Sequence, residues 1–265
     1  MDPEVVDKKF FTLLRKISKG EIPVQNLIDY MQKVENFCNE EGIELSEFLE
    51  EVFQDVICEE VHEIINDSEW RSDAVGKKCV VSPEILSGLY PILTKIDQNT
   101  ELVFTTNPNT PIEILEELSE SSYDWEEDGT TSSLARNTND ETLLRKLAAN
   151  SDPSTRFSVA QNPKTPHDVL RLLVTDEHFS RHMLYMSFDG GMSPGATDPI
   201  EEMIKCSIKF ALIQNPNAPL DLISQIANNE KNFNMESNSE FFGSDGAVAN
   251  STLKRAADKI LQSRR

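Results

Sequence analysis

Val159-Ala160-Gln161-Asn162-Pro163-Lys164-Thr165-Pro166-His167-Asp168-Val169-Leu170-Arg171-Leu172-Leu173 is the stretch on which the fold turns. Its centre recurs as Asn107-Pro108-Asn109-Thr110-Pro111-Ile112-Glu113-Ile114-Leu115-Glu116-Glu117-Leu118. A third copy runs Asn215-Pro216-Asn217-Ala218-Pro219-Leu220-Asp221-Leu222-Ile223-Ser224-Gln225-Ile226. The shared template is N-P-x-[TA]-P-x-[ED]-[IVL]-[LI]-x-x-[LI], and three matches with two prolines each mark an internal repeat. Each part of the template has a local physical reason. The first proline drives Asn107, Asn162 or Asn215 out of the helical region, so one helix ends there. Thr110 and Thr165 then stand where an N-cap belongs. Pro111, Pro166 and Pro219 take the first helical position, where no amide donor is missed. Glu113 reads as the far half of a capping box, and Asp168 as a negative charge in the first turn. At Ala218 the cap oxygen is lacking, which predicts a helix start weaker by about 1 kcal/mol. Leu115 with Leu118, and Leu170 with Leu173, fall on one helical face.

Weaker copies extend the series. Asn137-Thr138-Asn139-Asp140-Glu141-Thr142-Leu143-Leu144-Arg145-Lys146-Leu147 lacks the prolines, Ser82–Leu89 shares E-I-L-x-x-L, and Val248-Ala249-Asn250 reads as a decayed terminal copy. Asparagine anchors at 107, 137, 162 and 215 suggest a unit near 25 residues. Insertions then fall near 119–131 and 178–203, or a whole degenerate unit lies inside the latter. A helix also precedes each turn: Asp152-Pro153 opens one that ends at Gln161, and Ile208–Gln214 leads into the next. Neither helix of such a pair can bury its apolar stripe alone, and stacking neighbours solves that.

Val159–Pro166, preceded by Arg156, resembles the core of the variant leucine-rich-repeat (LRV) family. The resemblance spans roughly residues 80–260. It implies a right-handed superhelix of alternating α and 3-10 helices without strands, used as an interaction surface. A known member carries an iron–sulfur cluster on closely spaced cysteines. This chain has no such spacing, and no cofactor is carried across.

Residues 1–70 read differently. Apolar stripes predict helices ending at Lys19-Gly20 and Glu41-Gly42, then a longer run from Ser46 to Ile65. The expected fold is all-α: an acidic N-terminal helical domain, 1–72, that covers the open end of an α-solenoid of short two-helix units, 73–265. Charge is concentrated in the first domain. The whole chain carries 46 acidic against 25 basic side chains, a net charge of −21, and residues 34–69 hold 13 Asp or Glu with no Lys or Arg. Residues 1–70 count 18 acidic against 6 basic. The tail, with Lys254, Arg255, Lys259, Arg264 and Arg265, reverses the sign.

Such acidity repels phosphates and disfavours direct nucleic-acid binding. No apolar stretch is long enough for a membrane span. Cys38, Cys58, Cys79 and Cys206 are widely spaced, which argues for neither a disulfide framework nor a zinc site and fits buried thiols in a reducing cytoplasm.

Chemistry yields only near misses. His62-Glu63-Ile64-Ile65-Asn66 begins like a zinc-protease helix, yet Asn66 stands where the second histidine is required. His178 and His182 lack an assured third ligand, and 189–195 lacks the Lys-Ser/Thr of a phosphate loop. The expectation is therefore no catalytic residue, no metal and no cofactor. It is a cytoplasmic interaction module for a protein partner that is itself basic. The candidate partner-binding residues are Glu44, Glu47, Glu51 and Asp55 on the acidic face, Tyr123, Trp125 and Tyr185 in the insertions, and Arg156. The acidic face equally suits a decoy that blocks a nucleic-acid-binding protein, or a purely solubilising role. An enzyme or metal carrier on a repeat scaffold is the third class.

Overall fold

A computed structural model describes residues 1–53, 57–66, 81–120, 129–176, 204–229 and 246–264. Among them the chain is all-α: fourteen α-helices, one 3-10 segment and no strand. Two compact bodies result, Met1–Leu118 and Ser119–Arg265. The first full template copy, 107–118, belongs to the first of these bodies, together with the N-terminal helices.

In the N-terminal body, α1 (Pro3–Ser18) starts at Asp2, whose carboxylate accepts from the Glu4 amide, and has Pro3 at its first position. Gly20, at φ 71°, follows its end, and Gly42, at φ 70°, closes α2 (Gln25–Glu41). The left-handed backbone explains a glycine at both stops. The long acidic run is described as α3 (Leu45–Phe53) and α4 (Ile57–Asn66), with residues 54–56 outside the described residues. Both pack on α1, as α2 does. Phe53 meets Phe10 and Phe11 edge-on at 4.8 and 6.0 Å between ring centres. Phe10, Leu14 and Ile17 are sealed beneath.

The body continues through α5 (Pro83–Ile96), a 3-10 segment (Gln98–Thr100), α6 (Glu101–Thr106) and α7 (Ile112–Leu118). Ser82 caps α5 by accepting from the Ile85 amide. Gly88 lets α5 approach α2, since a Cβ there would lie 3.1–3.3 Å from the Val24 side chain. Helices α4 and α5 both pack on α6, and α6 on α7.

The C-terminal body alternates two sets of helices. One set is α8 (Thr130–Asn137), α10 (Pro153–Gln161), α12 (Ile208–Gln214) and α14 (Gly246–Ser263). The other is α9 (Glu141–Leu147), α11 (His167–Leu173) and α13 (Leu220–Asn228). Within the first set each helix packs on the next: α8 on α10, α10 on α12, α12 on α14. Each helix of the second set bridges, touching the first-set helix before it and the one after it. All three second-set helices are short α-helices, not 3-10.

Asparagine side chains hold this register. Asn162 Nδ2 donates to the carbonyls of Ala135 (2.8 Å) and Thr138 (2.8 Å), while its Oδ1 accepts from the Lys164 amide (2.8 Å). Asn215 repeats the arrangement on Ala160 O (2.7 Å) and Asn162 O (2.9 Å), with Asn217 N donating to its Oδ1 (2.8 Å). Asn107 does the same work in the N-terminal body, donating to Asn66 Oδ1 at 2.7 Å and accepting from Asn109 N at 2.9 Å. All three are buried, where an unmet amide or carbonyl is costly.

Two sequence expectations are corrected here. The anchor of the proline-free copy is Thr138, not Asn137. Thr138 is the residue that ends α8 in extended backbone, and its hydroxyl accepts from the Asp140 amide as the asparagine oxygens do elsewhere. Thr110 and Thr165 are not N-caps. Their hydroxyls turn back and donate to Phe104 O (2.7 Å) and Val159 O (2.6 Å), and Pro166 itself takes the cap position with no side-chain bond. A threonine hydroxyl serves either role, and the extended Asn-Pro turn brings it beside the carbonyl six residues back. The capping box expected for Glu113 and the weaker start expected at Ala218 therefore lose their basis.

Across the 53 residues from Asn162 to Asn215, α10 packs directly on α12 and Asn215 bonds to Ala160 and Asn162, while the insertion expected at 178–203 lies outside the described residues.

Candidate functional site

The acidic surface grows from the amphipathic pattern of α2, α3 and α4. In α3, Phe48, Leu49, Val52 and Phe53 are buried, which turns Glu47, Glu50 and Glu51 outward. In α4, Ile57, Val61 and Ile65 are buried and Glu59 and Glu63 face solvent. Glu40 and Glu41 at the end of α2, and Glu44 before α3, are exposed as well. None of these eight carboxylates forms an ion pair with a described residue. Glu60 alone on α4 is paired, with Arg15 Nη2 at 3.4 Å. Of the sequence candidates, Glu44, Glu47 and Glu51 share this surface. Asp55, Tyr123, Trp125 and Tyr185 lie outside the described residues, as do Cys79, His178, His182 and the 189–195 loop.

The C-terminal body treats its outer charges differently. Arg145 of α9 pairs with Asp168 of α11 and with Glu141 (3.6 Å), and Arg171 of α11 pairs with Asp221 of α13 at 2.6 Å. The line of charges across α9, α11 and α13 is thereby internally neutralised. Hydrogen bonds from Arg145 and Arg171 hold the Asp168 and Asp221 carboxyls below the usual carboxylate range. Lys146 likewise pairs with Glu120 and reaches Ser119 Oγ. Sequence reasoning missed this ladder. The signal was present: a basic residue three places after the Asp/Glu position in one copy, facing the acid of the next.

Arg156 is removed from the candidate set. Its side chain is only 12% exposed, and it donates to Asp176 Oδ2 at 2.6 Å, Asn150 O at 2.7 Å and Ser151 O at 2.8 Å. Every hydrogen-bonding direction of the guanidinium so described points inward, closing the turn that follows α9. An arginine before the Val-Ala-x-Asn-Pro core is a staple, not a contact for a partner.

The near-miss His62-x-x-x-Asn66 pair is also internal. Four residues apart, both face α6: His62 Nε2 lies 3.4 Å from Thr106 Oγ1, and Asn66 Nδ2 donates to Thr106 Oγ1 and Val103 O. A comparable polar seam joins α8 to α10. Asp152 Oδ2 accepts from the Thr155 amide (2.8 Å) and hydroxyl (3.0 Å), and Thr155 Oγ1 meets Thr131 Oγ1 at 2.7 Å and Ser132 Oγ at 3.2 Å. These hydroxyls satisfy one another and the helix start, and Thr155 is fully buried.

Cys38, Cys58 and Cys206 are buried. Burial, with Asp97 and Glu59 nearby, pushes the Cys58 thiol up to about 12, so it is no thiolate nucleophile at neutral pH. Among the described residues no group of His, Cys, Asp and Glu could hold a metal ion. No described helix is long and apolar enough to cross a membrane.

No protein-family model, curated protein sequence or solved structure matches this chain.

Proposed function

We propose that the chain is a non-enzymatic interaction module, built on an LRV-like helical solenoid, that docks a basic protein partner on the acidic face of α2, α3 and α4. One observation carries this reading: eight exposed carboxylates, Glu40, Glu41, Glu44, Glu47, Glu50, Glu51, Glu59 and Glu63, lack any ion pair with described residues, whereas the outer carboxylates of α11 and α13 are paired. Unpaired like charges cost self-repulsion, and a basic partner removes that cost while gaining encounter rate. The solenoid part rests on the recurring asparagine bonds and on first-set helices that pack in sequence.

The test is affinity capture from lysate with the full chain and with a Glu44→Lys, Glu47→Lys, Glu51→Lys variant. A basic protein retained by the former, released as salt rises from about 0.1 to 0.5 M and lost by the latter supports docking. Capture indifferent to both salt and charge reversal overturns it. Displacement of duplex DNA from the captured protein would move the reading to a decoy.

A further inference from the structure

In the C-terminal body every anchor carbonyl has a taker. The Thr138 carbonyl is taken by Asn162 and the Asn162 carbonyl by Asn215. The Asn215 carbonyl accepts from the Ala218 amide at 3.0 Å within its own turn and from Arg264 of α14 across to it: Nη1 donates to Asn215 O at 3.4 Å and Nη2 to Pro216 O at 2.6 Å. Helix α14 also occupies the first-set position, against α12, and packs on α13 as α12 packs on α11. Its buried face, Ala249, Leu253, Ala257 and Leu261, seals the apolar side that α12 and α13 would offer to another unit. At eighteen residues it is about twice the length of the other first-set helices. That length carries Arg264 past the helix contacts and back to the Asn-Pro turn.

We infer that Arg264 is a latch that holds α14 as a cap over α12 and α13, the guanidinium standing in for the carboxamide that Asn162 and Asn215 supply at the other junctions. A planar fork with two donors suits two neighbouring carbonyls, and an ammonium does not reproduce it. The inference rests on the solenoid reading above, so the experiment includes a rung inside the array as well as the latch.

Amide hydrogen exchange on the full chain separates the possibilities. Arg264→Ala is expected to speed exchange of α13 and α14 amides about tenfold, the loss of a charge-assisted pair at an exposed edge, and to leave α8 and α9 unchanged. Arg264→Lys should recover less than half of that protection on a logarithmic scale. Asn162→Ala, run in parallel, should loosen α8 against α10. Unchanged exchange in Arg264→Ala, or a rise of equal size from α8 to α14, overturns the latch. If Asn162→Ala also leaves the α8–α10 junction untouched, the solenoid reading falls with it; if it does not, only the cap fails.

Discussion

At the scale of single residues, the consequential side chains are polar and buried. Asn162 satisfies two carbonyls of the preceding turn and the amide of its own. Asn162→Ala leaves these groups in a dry interior, and urea unfolding should register a loss of about 2–4 kcal/mol. Asn162→Asp should be worse than alanine at neutral pH, because a carboxylate would face two carbonyl oxygens. Arg156 makes the second prediction. Arg156→Ala removes a bond to Asp176, 11% exposed, and two to main-chain carbonyls, and should cost about 2–3 kcal/mol by the same measurement, with Arg156→Lys recovering little, since the three donors of an ammonium leave one point and cannot span acceptors placed for a planar fork.

The sequence made the asparagines legible, because proline after asparagine announces a helix stop. It misassigned Thr110 and Thr165 because a hydroxyl before a helix has two competing acceptors within reach. Only the turn geometry chooses the carbonyl over the amide. Arg156 was visible as a motif residue, yet its direction, inward or outward, depends on Asp176 twenty places further on.

At the scale of elements, the helices were legible where caps and glycines punctuate them. Ends at Gly20 and Gly42 and the start at Pro153 coincide with the expected punctuation. The expected run from Ser46 to Ile65 is described as α3 and α4, with residues 54–56 outside the described residues. The ladder across α9, α11 and α13 was not foreseen, since periodicity within one copy does not reveal which residue of the next copy it will face. That ladder predicts a pH response. Asp168 and Asp221 titrate below their unfolded values, so their contribution is present above the ordinary aspartate range near pH 4 and is lost as pH falls through the folded values. Arg145→Ala should raise the Asp168 midpoint back toward the unfolded value in an NMR titration and leave Asp221, paired with Arg171, where it is. A shift of both carboxyls together would show the ladder to be one coupled system.

At the scale of the whole molecule, charge is unevenly shared. Residues 1–118 hold 25 acidic and 10 basic side chains and the remainder 21 and 15. The N-terminal body therefore works against its own field. Sodium chloride raised from about 0.05 to 0.5 M should slow exchange of α2, α3 and α4 amides by screening that repulsion, over a range where the Debye length shrinks well below the spacing of the charges. Faster exchange with added salt would mean that attractive pairs dominate there, against the unpaired carboxylates seen on α3 and α4. The charge concentration was plain in the sequence. That the carboxylates of α3 and α4 turn outward followed from helix periodicity alone. The aromatic candidates Tyr123, Trp125 and Tyr185 fall outside the described residues.

The asparagine rungs have one more property. Inside the C-terminal body their acceptors are main-chain carbonyls, which every amino acid supplies. Each of these asparagines therefore meets the turn before it without reading side chains at that contact, much as a standard thread accepts any bolt. Such a joint tolerates divergence on either side of it, since one carboxamide and two main-chain carbonyls are all that it needs.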